Sequence, residues 1–355
     1  MVRDSRGNVI PCTKSSFVAD TQGQYIPIHP AGTGKSGQVW YALSAKEAFS
    51  SSKPSPCQLI AKICAVKIFP AGVSLRTYEN SKRHPNDNVE EVKAMSKISR
   101  IAKGDMMRHF PQFIEALISS DCHHEISPWL SMRAVRGFEL QDMLLFARQL
   151  KTPLPETLVY HCYVQLLRGL EFLHNNGISK MDIQPVNVMV DADTTKAEIT
   201  GLPNFVWIDF GGCKDNIDAD NAKIQRGIFY DFIHRLAIQL HVCECEIEDK
   251  GRLQVDLCKQ HDRLWQGFVR IMQMSKSTIG HDPISVLYKN DTELKVGGRL
   301  FNMVETKRRY IPQFDQAIIK ALMDHTIAYT PTMRNKFPVE KDVEQAIKEF
   351  SQFVS

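Results

Sequence analysis

No run of about 20 apolar residues occurs anywhere in the 355-residue chain, so no membrane-spanning helix is expected. The opening stretch MVRDSRGNVIPCTKSS also lacks an apolar run, which argues against a signal peptide there. Internal repeats and long low-complexity tracts are missing, and solenoid and disordered architectures go with them. Charge of one sign is not in excess. A net charge of +4 is too mild to argue for a nucleic-acid partner. The nine cysteines are odd in number and irregular in spacing, so no disulfide framework is implied, and reduced thiols in a cytosolic or nuclear setting are the simplest reading. Cys243 and Cys245 lie near His241, but no second ligand pair has zinc-like spacing, so a helix and its C-terminal loop is expected there. What remains is a chain of ordinary apolar and charged content, long enough for one large domain or two lobes with a real core. The sequence implies neither a membrane nor a nucleic-acid partner, and it does not encode the oligomeric state.

Two neighbouring stretches carry chemistry: Ile178–Asp191, ISKMDIQPVNVMVD, and Phe205–Cys213, FVWIDFGGC. Asp182 sits in a tight polar turn, Asn187 follows it in the same stretch, and Asp209 comes after an apolar strand. Two carboxylates and an amide oxygen suit a hard cation beside a phosphate, and a turn carboxylate can take a proton from a hydroxyl.

Upstream, Tyr25-Ile26-Pro27-Ile28 and Gln38-Val39-Trp40-Tyr41 flank a glycine-rich turn, so a hairpin is expected. Gly32, Gly34 and Gly37 would let backbone N–H groups approach phosphate oxygens. The text Gly34-Lys35-Ser36 resembles the end of a P-loop. That motif requires a glycine where His29 stands, and a helix where a strand is expected, so the G-x-G-x-x-G-x-V form from Gly32 to Val39 fits better. Leu59–Phe69 reads as a buried strand interrupted by lysines. A buried ammonium needs a counter-ion, so Lys67 in Ala-Val-Lys-Ile requires an anionic partner. The following helix, with Asn88 as its expected cap, turns Val92, Met95 and Ile98 to one face. Glu91, four residues before Met95, shares that face and is chosen over its neighbour Glu90 as the partner of Lys67. Strands are expected over 110–119 and 128–135, and helices over 139–150 and from Pro153 onward. The second helix carries a Leu158, Cys162, Leu166, Leu170, Leu173 stripe, with Gly177 as its stop.

In this order the pieces resemble the eukaryotic protein kinase family, from about Tyr25 to Thr332. The resemblance implies an α+β fold of two lobes: an antiparallel β-sheet N-lobe with one main helix over 25–134, and a mostly α-helical C-lobe over 135–355, preceded by a leader over 1–24 that packs loosely or adds an edge strand. It also implies ATP and magnesium, with manganese as the alternative cation. Gly32, Gly34 and Gly37 would cover the phosphates. Lys67, positioned by Glu91, would hold the α- and β-phosphates, and Asp182 would orient the acceptor hydroxyl and take its proton. Asn187 and Asp209 would bind the cation. Adenine would lie between Val39 and Ala65 on one side and Met189 on the other. Met132 would be the gatekeeper, and the backbone of Arg133–Val135 would bond the adenine edge. Asp231 resembles the aspartate that opens the central helix of the large lobe.

Four departures from the family pattern shape the expected activity. Lys180-Met181-Asp182 replaces His-Arg-Asp, removing the arginine that reads an activation-loop phosphate, so no control by phosphorylation is expected there. Gln184 replaces a lysine that would offset charge on the transferring phosphoryl group, so the expected rate is lower. No Ala-Pro-Glu motif appears, and Asp209 to Asp231 spans 231 − 209 = 22 positions, leaving little room for a peptide platform. Asn187 to Asp209 spans 209 − 187 = 22 positions, so Asp191–Pro203 reads as an inserted loop. The expected activity is phosphoryl transfer from ATP to Ser/Thr hydroxyls of an unidentified protein or small-molecule acceptor. The alternatives are a pseudokinase acting as a nucleotide-binding switch or scaffold, and a small-molecule kinase on the same fold. Lys307-Arg308-Arg309 reads as a solvated basic patch.

Overall fold

The computed structural model describes residues 12–34, 37–69, 87–118, 127–152, 154–179, 182–214, 219–239, 264–265, 268–269, 272, 301–329 and 336–354. The fold is α+β, with an antiparallel sheet and helices, and it separates into two compact units. The first unit comprises Met1–Phe138, Ile208–Cys213 and Thr330–Ser355; the second comprises Glu139–Trp207 and Lys214–Tyr329. No helix among the described residues is long and apolar enough to cross a membrane.

In the first unit, helix α1 (Lys14–Asp20) precedes strands β1 (Tyr25–Gly34) and β2 (Gly37–Ser44). Helices α2 (Ala45–Ala48) and α3 (Pro56–Ile60) lead to strand β3 (Cys64–Ile68). Helix α4 (Asp87–Ile101) precedes β4 (Phe113–Leu117) and β5 (Trp129–Arg133). The five strands form one antiparallel sheet in the order β1-β2-β3-β5-β4. Alternation along the strands builds two cores. Trp40, Ala42, Cys64, Val66 and Ile68 turn to one face with Phe17 and Trp129, while Tyr41 and Leu43 turn to the other with Ile26 and Ile28.

Both faces are therefore apolar, and the two ends of the described chain cover them. Thr13 and Ser16 form a reciprocal cap that starts α1, and Phe17 is fully buried beside Trp40 at a ring separation of 5.4 Å. Within the stretch expected to pack loosely or add an edge strand, Lys14–Asp20 is thus a capped helix with one aromatic anchor; residues 1–11 lie outside the described residues. Helix α9 (Glu340–Val354), which the sequence assigned to the C-lobe, packs on β1 and α3 through Val343, Ala346 and Phe350. Burying Val343 and Phe350 is worth about 1.5–3 kcal/mol each, and Leu59 of α3 and Ile63 share the same cluster.

The chain leaves the first unit at β6 (Gly137–Glu139) and enters helix α5 (Leu140–Gln149), followed by α6 (Glu156–Asn175). Next come β7 (Val188–Asp191), β8 (Asn204–Trp207), α7 (Ala219–Gln239) and α8 (Gln313–Tyr329). The expected stripe on α6 is buried, and so are Tyr160, His161, Tyr163, Val164 and Gln165, so this helix is enclosed on nearly all sides. Gly177 ends it at φ +71°. The Gly177 N–H donates to the His174 carbonyl and the Ile178 N–H to the Leu173 carbonyl, which satisfies the last turn. β7 and β8 pair antiparallel from Val188↔Trp207 to Asp191↔Asn204.

Candidate functional site

In the first unit the pieces assemble around Lys67. β3 carries it next to β2, with Val39 opposite Lys67, and Ala65 lies opposite Met132 on β5. Its ammonium is buried and donates to both carboxylate oxygens of Glu91, each at 2.7 Å. It also reaches Asp209 Oδ1 at 3.1 Å. Burial pulls the lysine down; Glu91 first, and then Asp209, outweigh it and hold the ammonium above its ordinary range. Glu90 instead pairs with Lys93 at the surface. Lys62 lies before β3 and pairs with Glu47. Helix α4 begins at Asp87, one residue ahead of the expected cap Asn88.

Asp209 adopts φ +52°, a left-handed conformation uncommon outside glycine, and its Oδ1 also accepts from the Gly211 N–H at 3.2 Å. Strained backbone beside a charged cluster marks a functional position more often than a structural one. The next residue, Phe210, is buried and lies 6.1 Å from the Phe110 ring. Gly37 has a reason the sequence did not reveal. A Cβ there would lie 2.4 Å from the Ile68 carbonyl, so the close approach of β3 requires glycine irrespective of any phosphate. Gly32 and Gly34 lie on β1; Lys35 and Ser36 fall outside the described residues.

At the strand end, the Arg133 N–H donates to the Gln112 carbonyl and the Ala134 N–H to the Ile63 carbonyl. The Val135 carbonyl accepts from Gly137, while the Val135 N–H has no partner among the described residues. That donor is available for a ring nitrogen.

The second unit holds the rest. Asp182 is exposed, and its Oδ2 accepts from Gln184 Nε2 and from Asn187 Nδ2, each at 2.8 Å. Asn187 Nδ2 also reaches the Asp182 carbonyl at 3.1 Å. Since the asparagine nitrogen is committed to Asp182, its amide oxygen, unpartnered among the described residues, is the atom left for a cation. Asn187 immediately precedes Val188, Asp209 follows Trp207 by two positions, and Val188 and Trp207 pair. Met189 lies on β7. Lys180 and Met181 fall outside the described residues, as do His241, Cys243 and Cys245.

Two expectations change here. Asp231 lies well inside α7 and ion-pairs with Arg235 one turn on, so it does not open that helix. Arg308 is not solvated. It is fully buried; its Nε donates to Glu305 at 2.6 Å, its Nη2 to Glu198 at 2.6 Å and its Nη1 to His161 Nδ1 at 2.6 Å. A guanidinium only donates, so His161 accepts at Nδ1 and donates from Nε2 to the Pro203 carbonyl at 3.0 Å. Burial and then Arg308 push His161 down to about 3. Glu198 belongs to the stretch read as an inserted loop, and Arg168 and Gln165 also hold it. The signal available in the sequence was Glu305-x-x-Arg308, a pair one helical turn apart.

No family model matches the chain. It is similar to a serine/threonine-protein kinase of Acanthamoeba polyphaga mimivirus, 39% identical over 71 residues, 20% of this chain and 13% of that protein. The mitogen-activated protein kinase HOG1B of Wallemia ichthyophaga is 26% identical over 168 residues, 47% of this chain and 36% of that protein. The MAPK/MAK/MRK overlapping kinase of Homo sapiens is 32% identical over 78 residues, 21% of this chain and 16% of that protein. The matches thus span between 13% and 36% of these curated relatives. They support a kinase-like family, and the α+β fold with its antiparallel sheet is compatible with that class.

Proposed function

We propose that the chain is an ATP-dependent phosphotransferase of protein-kinase type, passing the γ-phosphate to a Ser/Thr hydroxyl of a protein or small-molecule acceptor. The observation that carries this reading is one buried ammonium shared by Glu91 and a left-handed Asp209. Two carboxylates fix Lys67 as a charged donor; its three N–H groups meet Glu91 and Asp209, and exchanging the longer Asp209 bond would turn one of them to the α- and β-phosphate oxygens. The adenine edge would take the Val135 N–H. Asn187 and Asp209 would hold magnesium or manganese, which supplies neutralisation of phosphate charge when bound. Asp182 would accept the proton of the attacking hydroxyl, with the Asn187 and Gln184 amides holding its carboxylate in place. Asp182→Asn is expected to abolish phosphoryl transfer from labelled ATP while nucleotide affinity stays within about twofold of wild type, because the residue acts on the acceptor and not on ATP. Transfer persisting in that variant refutes the assignment.

A nucleotide-binding module without turnover is the second reading. It is favoured by the two amides that share Asp182 Oδ2, with Gln184 standing where a lysine would supply charge. Incubation with labelled ATP and magnesium or manganese separates the two: binding with neither transfer nor ADP release supports the module.

A further inference from the structure

Helix α9 does more than close a sheet face. The apolar cluster it completes with Ile26, Ile28, Tyr41, Leu43, Leu59 and Ile63 also packs against Ala134 and Phe337. Ala134 is the middle residue of the segment whose Val135 N–H is unpartnered among the described residues. Just ahead of α9, Phe337 lies under the Arg136 guanidinium, 5.3 Å from ring centroid to Cζ, and meets the Tyr41 ring edge-on at 5.5 Å. Tyr41 in turn lies opposite Ala65 in the β2–β3 ladder. Phe337 thus touches the residue that follows the 133–135 backbone and the strand that carries Val39. The helix behind it is anchored independently, by Lys14 to Glu349 at 2.6 Å and by Phe49 stacked on Phe350 at 6.0 Å.

We propose that Phe337, held by α9, is a positioning residue that fixes the backbone of Arg133–Val135 and thereby sets affinity for the adenine base. The nucleotide half of this proposal rests on the kinase reading above. A segment held from one side by an aromatic–guanidinium stack and an apolar cluster loses little freedom when a base binds its edge. Released from those contacts, it must first be ordered, and affinity falls by the fraction of time it is competent.

The test uses the full chain and three variants. Phe337→Ala removes the stack, Phe337→Trp restores a larger ring, and Arg136→Gln removes the cation while leaving the apolar cluster intact. Two quantities are read: calorimetric affinity for a nonhydrolysable ATP analogue with magnesium, and amide hydrogen exchange over residues 129–138. Phe337→Ala is expected to weaken the analogue about tenfold, as for a competent fraction of about one tenth, and to speed exchange at 133–135. Phe337→Trp is expected to recover both, and Arg136→Gln to shift both in the same direction as Phe337→Ala by less. A lowered melting temperature with unchanged affinity and exchange would make Phe337 a merely structural residue and overturn the proposal. So would faster exchange with unchanged affinity. If Phe337→Ala does not fold, Arg136→Gln decides by the same two readouts. Wild-type protein that binds no nucleotide would overturn the kinase reading instead, and exchange in the variants would still decide the positioning role.

Discussion

Lys67 in the first unit and Arg308 in the second are both buried cations with two carboxylate partners, yet their surroundings differ in kind. Arg308 is enclosed: Nε, Nη1 and Nη2 each meet an acceptor, and its two glutamates are held further by Arg168, Gln165 and Arg309. The Lys67 cluster is less enclosed: the Asp209 side chain remains 34% exposed and its backbone sits at φ +52°. An enclosed network locks a fold, whereas a charged group that reaches the surface on strained backbone is suited to a ligand. Burial of the cation alone does not separate a site from a strut; the exposure and strain of its partners do.

That contrast can be broken most forcefully at Arg308. Arg308→Met removes the fully buried cation between Glu198 and Glu305, leaves them the more exposed Arg168, and strips His161 Nδ1 of its donor. A loss of about 3–5 kcal/mol in urea unfolding is expected. A loss below about 1 kcal/mol would mean the network is no lock.

The two clusters should also fail at opposite ends of the pH scale. His161 is held near 3, against 6.5 when free, so the unfolded chain gains a proton first and stability falls as pH drops below 6.5. Burial raises Glu198 and Glu305, but hydrogen bonds from Arg308 with Gln165 and Arg309, together with the nearby positive charge, outweigh it and hold both below their ordinary 4.5. Their contribution is present above 4.5 and is lost below it. Lys67 is raised above 10.5, so its contribution is complete below 10.5 and lost only as pH rises beyond it. Melting curves taken across the acid range should decline from 6.5 downward, and His161→Gln, which keeps an acceptor and a donor, should flatten the stretch from 6.5 to 4.5.

The smallest effect on stability belongs to Asp209→Asn. With Lys67 and Glu91 still paired, unfolding should move by less than about 1 kcal/mol. Magnesium–nucleotide affinity, read by calorimetry, should nonetheless fall at least about tenfold, since a charged cation ligand is gone. Equal losses at Asp209 and Arg308 would erase the distinction between the two regions.

Much of the first cluster was legible because its constraint is local. A lysine inside Ala-Val-Lys-Ile needs an anion, and helical phase selects Glu91 over Glu90. The α6 stripe and its Gly177 stop were readable for the same reason. Arg308 was not, because Glu198 lies 110 positions away and a basic triplet looks solvated without its partners. The final helix was legible as an amphipathic element over 339–353, but neither its packing surface nor that of Phe17 was, because periodicity shows that a helix has an apolar face and not which surface that face meets. The left-handed backbone of Asp209 has no signature in a one-residue alphabet at all.

The discontinuity of the first unit bears on how the protein is made. Its sheet strands leave the ribosome early, but Val343, Ala346 and Phe350 emerge only after every residue of the second unit has been synthesised. Until then Ile26, Ile28, Tyr41 and Leu43 have only Leu59, Ile63 and their neighbours as cover. Nascent chains stalled or cleaved before residue 340 should therefore be bound by chaperones through the part of that surface α9 would cover, and release should coincide with docking of the last helix.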